Sequence, residues 1–257
     1  MKTCCFTVDD NIRFLKELTE QEPESIFDHP YPALYRKLHE KYGLKIQLNL
    51  FYEMEGFDLT QMTDRYRKEW AANADWLQLS FHARKEFMPA YDTCGYEEVY
   101  RDCRDVEEQI LRFAGEDSLA RTTTVHFCKT SEAGVVALRD RKVKGLLGLV
   151  GTEENPRVSY SLPECYRESL KAGQVVRWQD VSFAAIDMVI NKLSLQEVLP
   201  ELEPVLGHEQ IRVMVHEQYF YPDYRAYQPD FGEKLDVIFA FLAEHGYASR
   251  FFEEMIW

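Results

Sequence analysis

Short apolar runs alternate along this chain with segments of helical periodicity, and no other feature of the sequence restricts the fold as strongly. Segments such as 95–114 place apolar side chains three and four residues apart, as an amphipathic helix does. Strands that alternate with helices indicate βαβ units and a parallel sheet. Roughly seven or eight such units favour a closed or nearly closed α/β barrel. The alternative is a doubly wound open sheet, but no G-x-G-x-x-G follows a strand. The runs that predict the main strands are 4–8, 45–52, 76–81, 122–127, 144–151, 175–181 and 211–220.

Composition limits the partners and the cellular compartment. No Pro-, Gly- or Ser-rich linker divides the chain, so we predict a single domain over residues 1–257. The chain has 30 Lys and Arg against 44 Asp and Glu, a net charge of −14, which disfavours nucleic acid and anionic membranes as partners. A neutral or cationic small molecule fits this charge better. Because six cysteines form no C-x-x-C pair and no secretory leader or membrane span is visible, we predict free thiols and a cytoplasmic location.

Polar residues stand where the predicted strands end. In parallel α/β folds, the carboxyl ends of the strands meet at one edge and carry the functional groups. Three of the seven histidines directly follow an apolar strand, so their side chains are expected to point into one mouth. The strand-end residues in question are Asp9, Asp10, Tyr52, His82, His126, His216 and Glu217, with Glu86 four residues beyond His82.

Three of these residues form a plausible set of metal ligands. His82 and Glu86 lie four residues apart and come together if the chain turns helically after its strand. With Asp10 they make a nitrogen and oxygen set that leaves room for water, as a hydrolytic metal site requires. Because successive strand side chains alternate, Asp9 is left free to act as a base. Zinc, iron, cobalt, nickel or manganese fits this set. The structural alternatives are a helix cap by Asp10 and a surface contact between His82 and Glu86.

The motifs resemble those of the polysaccharide deacetylase superfamily, which includes chitooligosaccharide and peptidoglycan deacetylases. T-V-D-D-N (7–11) is similar to the family's T-F-D-D-G motif, and SFHARKEF (80–87) resembles its second motif, H-x-x-x-H. About 70 residues separate the two motifs, and VMVHEQ (213–218) places a histidine at the end of a late strand. The resemblance covers nearly the whole chain. It implies a distorted (β/α) barrel of about seven parallel strands.

The resemblance also implies a function and residue roles. It points to a metal-dependent hydrolase that deacetylates an N-acetylated sugar or a related amide, with zinc as the expected divalent ion. Carried over to this sequence, Asp9 is the base, Asp10 a metal ligand and His216 the general acid. Aromatic side chains near the last strand are expected to stack on sugar faces. The predicted substrate-binding residues are Tyr52, His126, Glu217 and Tyr219.

The sequence departs from the family pattern at three places. Glu86 replaces the second histidine of the metal motif, and Asn11 replaces the glycine after the two aspartates. The third motif, usually R-P-P-Y, reads VHFCK (125–129), so the arginine that orients the base is missing, and Lys129 or His126 is the candidate substitute. These departures leave two alternatives open: a catalytically inactive carbohydrate-binding relative, and a barrel hydrolase or lyase that works without metal.

Overall fold

The computed structural model describes residues 1–151 and 158–256. In these residues twelve strands are present: β1 Thr3–Asn11, β2 Ile46–Phe51, β3 Glu53–Met54, β4 Phe57–Asp58, β5 Leu77–Ala83, β6 Thr122–Thr123, β7 Gly145–Gly148, β8 Val176–Trp178, β9 Val181–Ala185, β10 Met188–Val189, β11 Gln210–His216 and β12 Ala248–Ser249. The same residues form eight α-helices: α1 Arg13–Gln21, α2 Pro30–Tyr42, α3 Arg67–Ala72, α4 Tyr96–Phe113, α5 Glu132–Asp140, α6 Arg167–Lys171, α7 Val198–Leu202 and α8 Phe231–Glu244.

The strands form two larger sheets that are mostly parallel. One has the order β10-β11-β1-β2-β5, with β12 beside β1, and the other has the order β6-β7-β9-β8. Backbone hydrogen bonds connect the sheets at both ends. At one end, the amide of Leu79 in β5 donates to the carbonyl of Ser118, which precedes β6. At the other end, the segment after β9 bonds to both sheets. The amide of Ile186 donates to the carbonyl of Gly148 in β7, and the amide of Asp187 donates to the carbonyl of Arg212 in β11. The predicted α/β fold with a mostly parallel sheet is confirmed.

Two predicted strands differ from the observed ones. The run 122–127 is a strand only at Thr122–Thr123, after which the chain turns, because Phe127 and Cys128 have φ values of 59° and 52°. The run around Val176 is an antiparallel hairpin, because Gln179 and Asp180 adopt φ values of 51° and 62° and reverse the chain. Residues in the left-handed region depart from the extended backbone of a strand. These turns end the two strands early and change the direction of the chain that follows them.

The core surrounds β1, whose neighbours on either side are β2 and β11. Residues 4–11 of β1 are all buried, as expected for a central parallel strand with both faces covered. Helix α2 ends at Tyr42, and the following Gly43, with a φ of 65°, supplies a left-handed cap. The six cysteines are free, as predicted, and five of them are buried. No helix within 1–151 or 158–256 is long and apolar enough to cross a bilayer.

Candidate metal centre

A β-bulge at the end of β1 brings the two adjacent aspartates into the same cavity. Val8 pairs with Leu48 and Asn11 pairs with Leu50, so Asp9 and Asp10 together oppose the single residue between those partners. Asp10 has a φ of 63°, which breaks the alternation of a regular strand. The expectation that the two side chains face different directions is therefore wrong: both line one cavity of about 440 Å³.

Asp10 lies beside two imidazoles at the centre of this cavity. Its Oδ1 is 2.9 Å from His82 Nε2 and 3.3 Å from His126 Nδ1. The two ring nitrogens are 3.1 Å apart. All three side chains are buried, and their ligand atoms lie within 4.8 Å of one another. In a tetrahedral zinc site with bonds near 2.0–2.1 Å, ligand atoms are separated by about 3.3 Å. The observed spacing is close to that value.

The outer hydrogen bonds of the two histidines fix which ring nitrogen carries a proton. His82 Nδ1 is 2.5 Å from the carbonyl oxygen of Thr124, and His126 Nε2 is 3.0 Å from the carbonyl oxygen of Glu86. A carbonyl only accepts, so each outer nitrogen is the donor. In neutral rings the inner nitrogens then present lone pairs to each other and to Asp10. Three acceptors around one point require a cation or an additional proton, and backbone carbonyls that orient ligand histidines are typical of metal sites.

The pKa shifts of this cluster follow from the same contacts. Burial acts to raise the pKa of Asp10, but hydrogen bonds and charge interactions with His126 and His82 outweigh it and hold that pKa well below the usual value. Burial acts to lower the pKa of His82, whereas the negative charges of Asp9 and Asp10 raise it above that of a free histidine. The two neighbouring carboxylates thus favour a positive charge at this point of the cluster.

Asp9 lies next to this cluster and has a different partner. Its Oδ1 accepts a hydrogen bond of 2.7 Å from Asn49 Nδ2. Burial raises the pKa of Asp9, and His82, His216 and the Asn49 hydrogen bond offset the increase only in part. The sequence offered Lys129 or His126 as the partner of Asp9. Neither has that role: Lys129 pairs with Asp92 at 3.6 Å, and His126 contacts Asp10.

Asn49 belongs to a buried polar chain that crosses the interior. Gln47 Nε2 donates to Asn49 Oδ1 at 2.7 Å, and Thr122 Oγ1 donates to Gln47 Oε1 at 2.8 Å. None of these residues was predicted from the sequence. The signal was present, since two amides two residues apart inside an apolar strand must lie on the same face. Because buried amides need hydrogen-bond partners, their position indicates a polar interior next to Asp9.

His216 lies across from Asp9, because the two residues are in register on β11 and β1. Its Nδ1 is 2.8 Å from Asn191 Oδ1, which accepts only, so His216 carries the proton on Nδ1 and the amide fixes the ring. His216, Tyr219 and Asp9 all line the cavity. The predicted acid and the predicted base therefore sit on neighbouring strands at the same edge.

The predicted ligand Glu86 is not part of the three-residue group, and His126 takes its place. After β5 the segment 84–90 does not form the helical turn that the prediction required. Glu86 instead contributes its backbone carbonyl to His126. Its side chain lines the cavity, where burial and the charge of Asp10 raise its pKa.

Two of the predicted substrate-binding residues lie elsewhere. Glu217 is buried and accepts hydrogen bonds from the backbone amides of Ile12, Arg13 and Phe14 at 2.7–3.0 Å. It therefore caps the N-terminus of α1, the role that the sequence had offered to Asp10. Tyr52 is outside the residues that line the cavity, and its ring packs under the guanidinium of Arg84 at 4.4 Å.

Two further residues shape the centre and were missed. Gln218 Nε2 donates to Asp10 Oδ2 at 2.6 Å, which leaves the other oxygen of Asp10 facing the histidines. The ring of Phe51 packs against both imidazoles, with centroids 5.2 Å from His82 and 5.0 Å from His126. Gln218 follows the strand-end pair His216–Glu217 directly, so its place after β11 was the available signal.

Comparisons with known proteins give the fold. Neither a protein-family model nor a curated protein sequence matches this chain. Among solved structures, it is similar to a family 4 acetyl xylan esterase from Clostridium thermocellum in complex with a cobalt ion, at 12% identity and a TM-score of 0.54, over 99% of this chain and 90% of that one. A peptidoglycan N-acetylglucosamine deacetylase matches at 12% identity and a TM-score of 0.52, over 99% and 87%.

The similarity extends to a protein with a different activity. A 4-alpha-glucanotransferase from Thermococcus litoralis matches at 11% identity and a TM-score of 0.64, over 98% of this chain and 40% of that one. One fold therefore serves more than one chemistry, and the function of this chain has to be argued from its own site. The chain has the fold of the acetyl xylan esterase and of the peptidoglycan deacetylase, at low sequence identity.

Proposed function

We propose that this chain is a metal-dependent hydrolase that removes the acetyl group from an N-acetylated sugar or a related amide. One observation carries the proposal. The inner nitrogens of His82 and His126 face Asp10 Oδ1 while their outer N–H groups are held by backbone carbonyls. This arrangement directs two nitrogen lone pairs and one carboxylate oxygen at a common point, where they would bind a divalent cation. The ligands would be Asp10, His82 and His126, and not the sequence-predicted set with Glu86.

The ion would supply Lewis-acid chemistry at the acyl oxygen and a lower pKa for a nearby water molecule. Asp9 would take the proton of the attacking water, since its pKa is raised by burial and its carboxylate is held by Asn49. His216 would donate a proton to the departing amine from the neighbouring strand. In the neutral ring Nδ1–H is held by Asn191, so the transferable proton would come from Nε2 of the imidazolium. Tyr219 would contact the sugar at the rim.

The identity of the ion and the location are also parts of this proposal. Two imidazoles and one carboxylate suit zinc, and they also suit cobalt, nickel and iron. The cobalt ion belongs to the esterase of similar fold and is not evidence for this chain. Six free cysteines fit a reducing compartment, in agreement with the predicted cytoplasmic location.

The test uses the full chain, stripped of metal and reloaded with zinc or cobalt. Release of acetate from N-acetylglucosamine and its oligomers is measured for the wild type, for Asp9→Asn and for Asp64→Asn, an exposed aspartate outside the cavity. We expect metal-dependent release that falls by about 10²–10⁴-fold in Asp9→Asn and is unchanged in the control. Saturable sugar binding without turnover would favour the inactive carbohydrate-binding relative. Turnover without metal would favour the metal-independent hydrolase.

A further inference from the structure

Two basic side chains line the cavity of the candidate metal centre although the chain as a whole is acidic. Lys192 and Arg225 are both exposed at its wall. Within the described residues, neither is in a hydrogen bond or an ion pair, whereas many other basic side chains pair with an acid, as Arg141 does with Glu107. In a chain with 44 acidic and 30 basic residues, partners of opposite charge are abundant. What distinguishes them from other described basic side chains without such a partner, such as Lys68, is that both line this cavity, where a bound ligand would meet them.

The formal charge of the cavity depends on the ion. Three carboxylates line it, those of Asp9, Asp10 and Glu86, against the two cations Lys192 and Arg225, which leaves one negative charge. A divalent cation held by Asp10 and its histidines would change this to one positive charge. Because a cleft focuses the field of its lining charges, the loaded cavity would attract an anion although the whole chain carries −14.

The position of Lys192 tells which part of a substrate it would meet. Lys192 directly follows Asn191, the residue whose side chain holds His216. The departing amine would lie at His216, so the part of the substrate that carries the nitrogen would extend toward Lys192. Lys192 also lines a second cavity of about 760 Å³, which shares Phe127 and Leu149 with the first and gives this part room. The positive charge of Arg225 acts instead on the carboxyl group of Glu86.

We propose that the substrate carries an anionic group, a carboxylate or a phosphate, on its amine-bearing fragment, and that Lys192 binds it. Arg225 adds to the attraction from the Glu86 side without direct contact. This inference rests on the proposed function for the orientation of the substrate. It differs from the expectation, drawn from the net charge alone, that a neutral or cationic substrate fits best.

The test compares three sugars that differ in charge: N-acetylglucosamine, N-acetylmuramic acid with a carboxylate, and N-acetylglucosamine 6-phosphate. Acetate release by the zinc-loaded wild type is measured for each, together with binding to zinc-loaded Asp9→Asn by titration calorimetry. Lys192→Gln and Arg225→Gln are compared with Lys68→Gln, which removes the same charge from the exposed side of α3.

We expect at least one of the two acidic sugars to bind about fivefold or more tightly than the neutral one, and the sugar that does identifies the anion. Lys192→Gln is expected to remove this preference while binding of the neutral sugar is unchanged. Arg225→Gln should reduce the preference less, and Lys68→Gln should have no effect. Because an exposed charge pair is screened by salt, the preference should also shrink between 50 and 500 mM NaCl.

The outcomes separate this inference from the proposed function. Equal binding of all three sugars, no binding of either acidic sugar, or an equal loss for all three in Lys192→Gln would overturn the role of Lys192. If acetate is then still released from the neutral sugar, the proposed function stands alone. If acidic sugars bind through Lys192 but no acetate is released from any sugar, the anion site stands and the hydrolase proposal fails.

Discussion

The inner nitrogens of His82 and His126 lie 3.1 Å apart in the folded chain, although 44 residues separate the two histidines in the sequence. Each ring donates its other N–H to a backbone carbonyl, and both face the same oxygen of Asp10. Two neutral imidazoles in this orientation repel each other and the carboxylate. A positive charge between them, an ion or an added proton, removes this repulsion, and the first prediction follows from it.

Removal of any of the three grouped side chains is expected to weaken metal binding strongly. Asp10→Ala, His82→Ala and His126→Ala should each lower zinc affinity by at least about 100-fold, since ligands matter more than the residues that orient them. Affinity is measured by competition with a chromophoric chelator, with circular dichroism to verify folding. Glu86→Gln is the matched control and should bind within a few-fold of the wild type. If Glu86→Gln loses zinc and His126→Ala retains it, the ligands are Asp10, His82 and Glu86, as predicted from the sequence, and not the group with His126.

The hydrogen bond from Asn49 is expected to set the acid limb of the pH–rate profile. Asn49 stabilises the ionised form of Asp9 and so lowers its pKa, which burial raises. Asn49→Leu keeps a similar volume but removes the donor, so the pKa of Asp9 should rise further. The acid limb of kcat/KM should move to higher pH with it. Gln78→Leu changes an amide on β5 outside the cavity and should leave the profile unchanged.

The loss of rate on removal of the proposed acid His216 is expected to depend on whether the leaving group must be protonated. His216→Ala should lower deacetylation of an N-acetyl sugar by about 10²–10⁴-fold, because an amine leaves only when it is protonated. Hydrolysis of 4-nitrophenyl acetate, whose leaving group needs no proton, should fall much less. Zinc affinity should remain, since His216 is outside the ligand group. Equal losses on both substrates would contradict the role of a general acid.

Glu217 is expected to make stability depend on pH without any part in catalysis. Burial raises the pKa of this carboxyl to about 7, although three backbone amides donate to it. The folded protein then keeps the proton up to about pH 7, whereas the unfolded chain releases it near pH 4.5. The stability contributed by the protonated group is therefore complete below about pH 4.5 and is lost as the pH rises through 7.

Urea unfolding of metal-free wild type and Glu217→Gln between pH 4.5 and 8 measures this effect. The free energy of unfolding of the wild type, relative to the variant, should fall by up to about 3 kcal/mol over that range. The glutamine adds a constant offset, because its amide cannot accept all the bonds of the carboxyl at α1, but that offset does not vary with pH. Parallel curves for the two proteins would mean that Glu217 is ionised throughout.

The sequence by itself determined the mostly parallel α/β fold and the edge of the sheets at which polar residues gather. Both follow from local information. Apolar runs and helical stripes report which segments become strands and helices, and parallel strands end at one edge. Asp10 and His82 were identified in this way, and the structure brings them to the same point as strand-end position requires.

Only the tertiary structure decided the third member of the group and the partner of Asp9. The choice between Glu86 and His126 depended on whether the chain turned helically after β5, and on the early end of β6 at Thr123. Asn49 reaches Asp9 because a bulge shifts the register of β1 against β2. Bulges and left-handed residues such as Asp10 leave little trace in a hydrophobic pattern, yet each one redirects a side chain. Contacts between distant residues therefore required the folded chain.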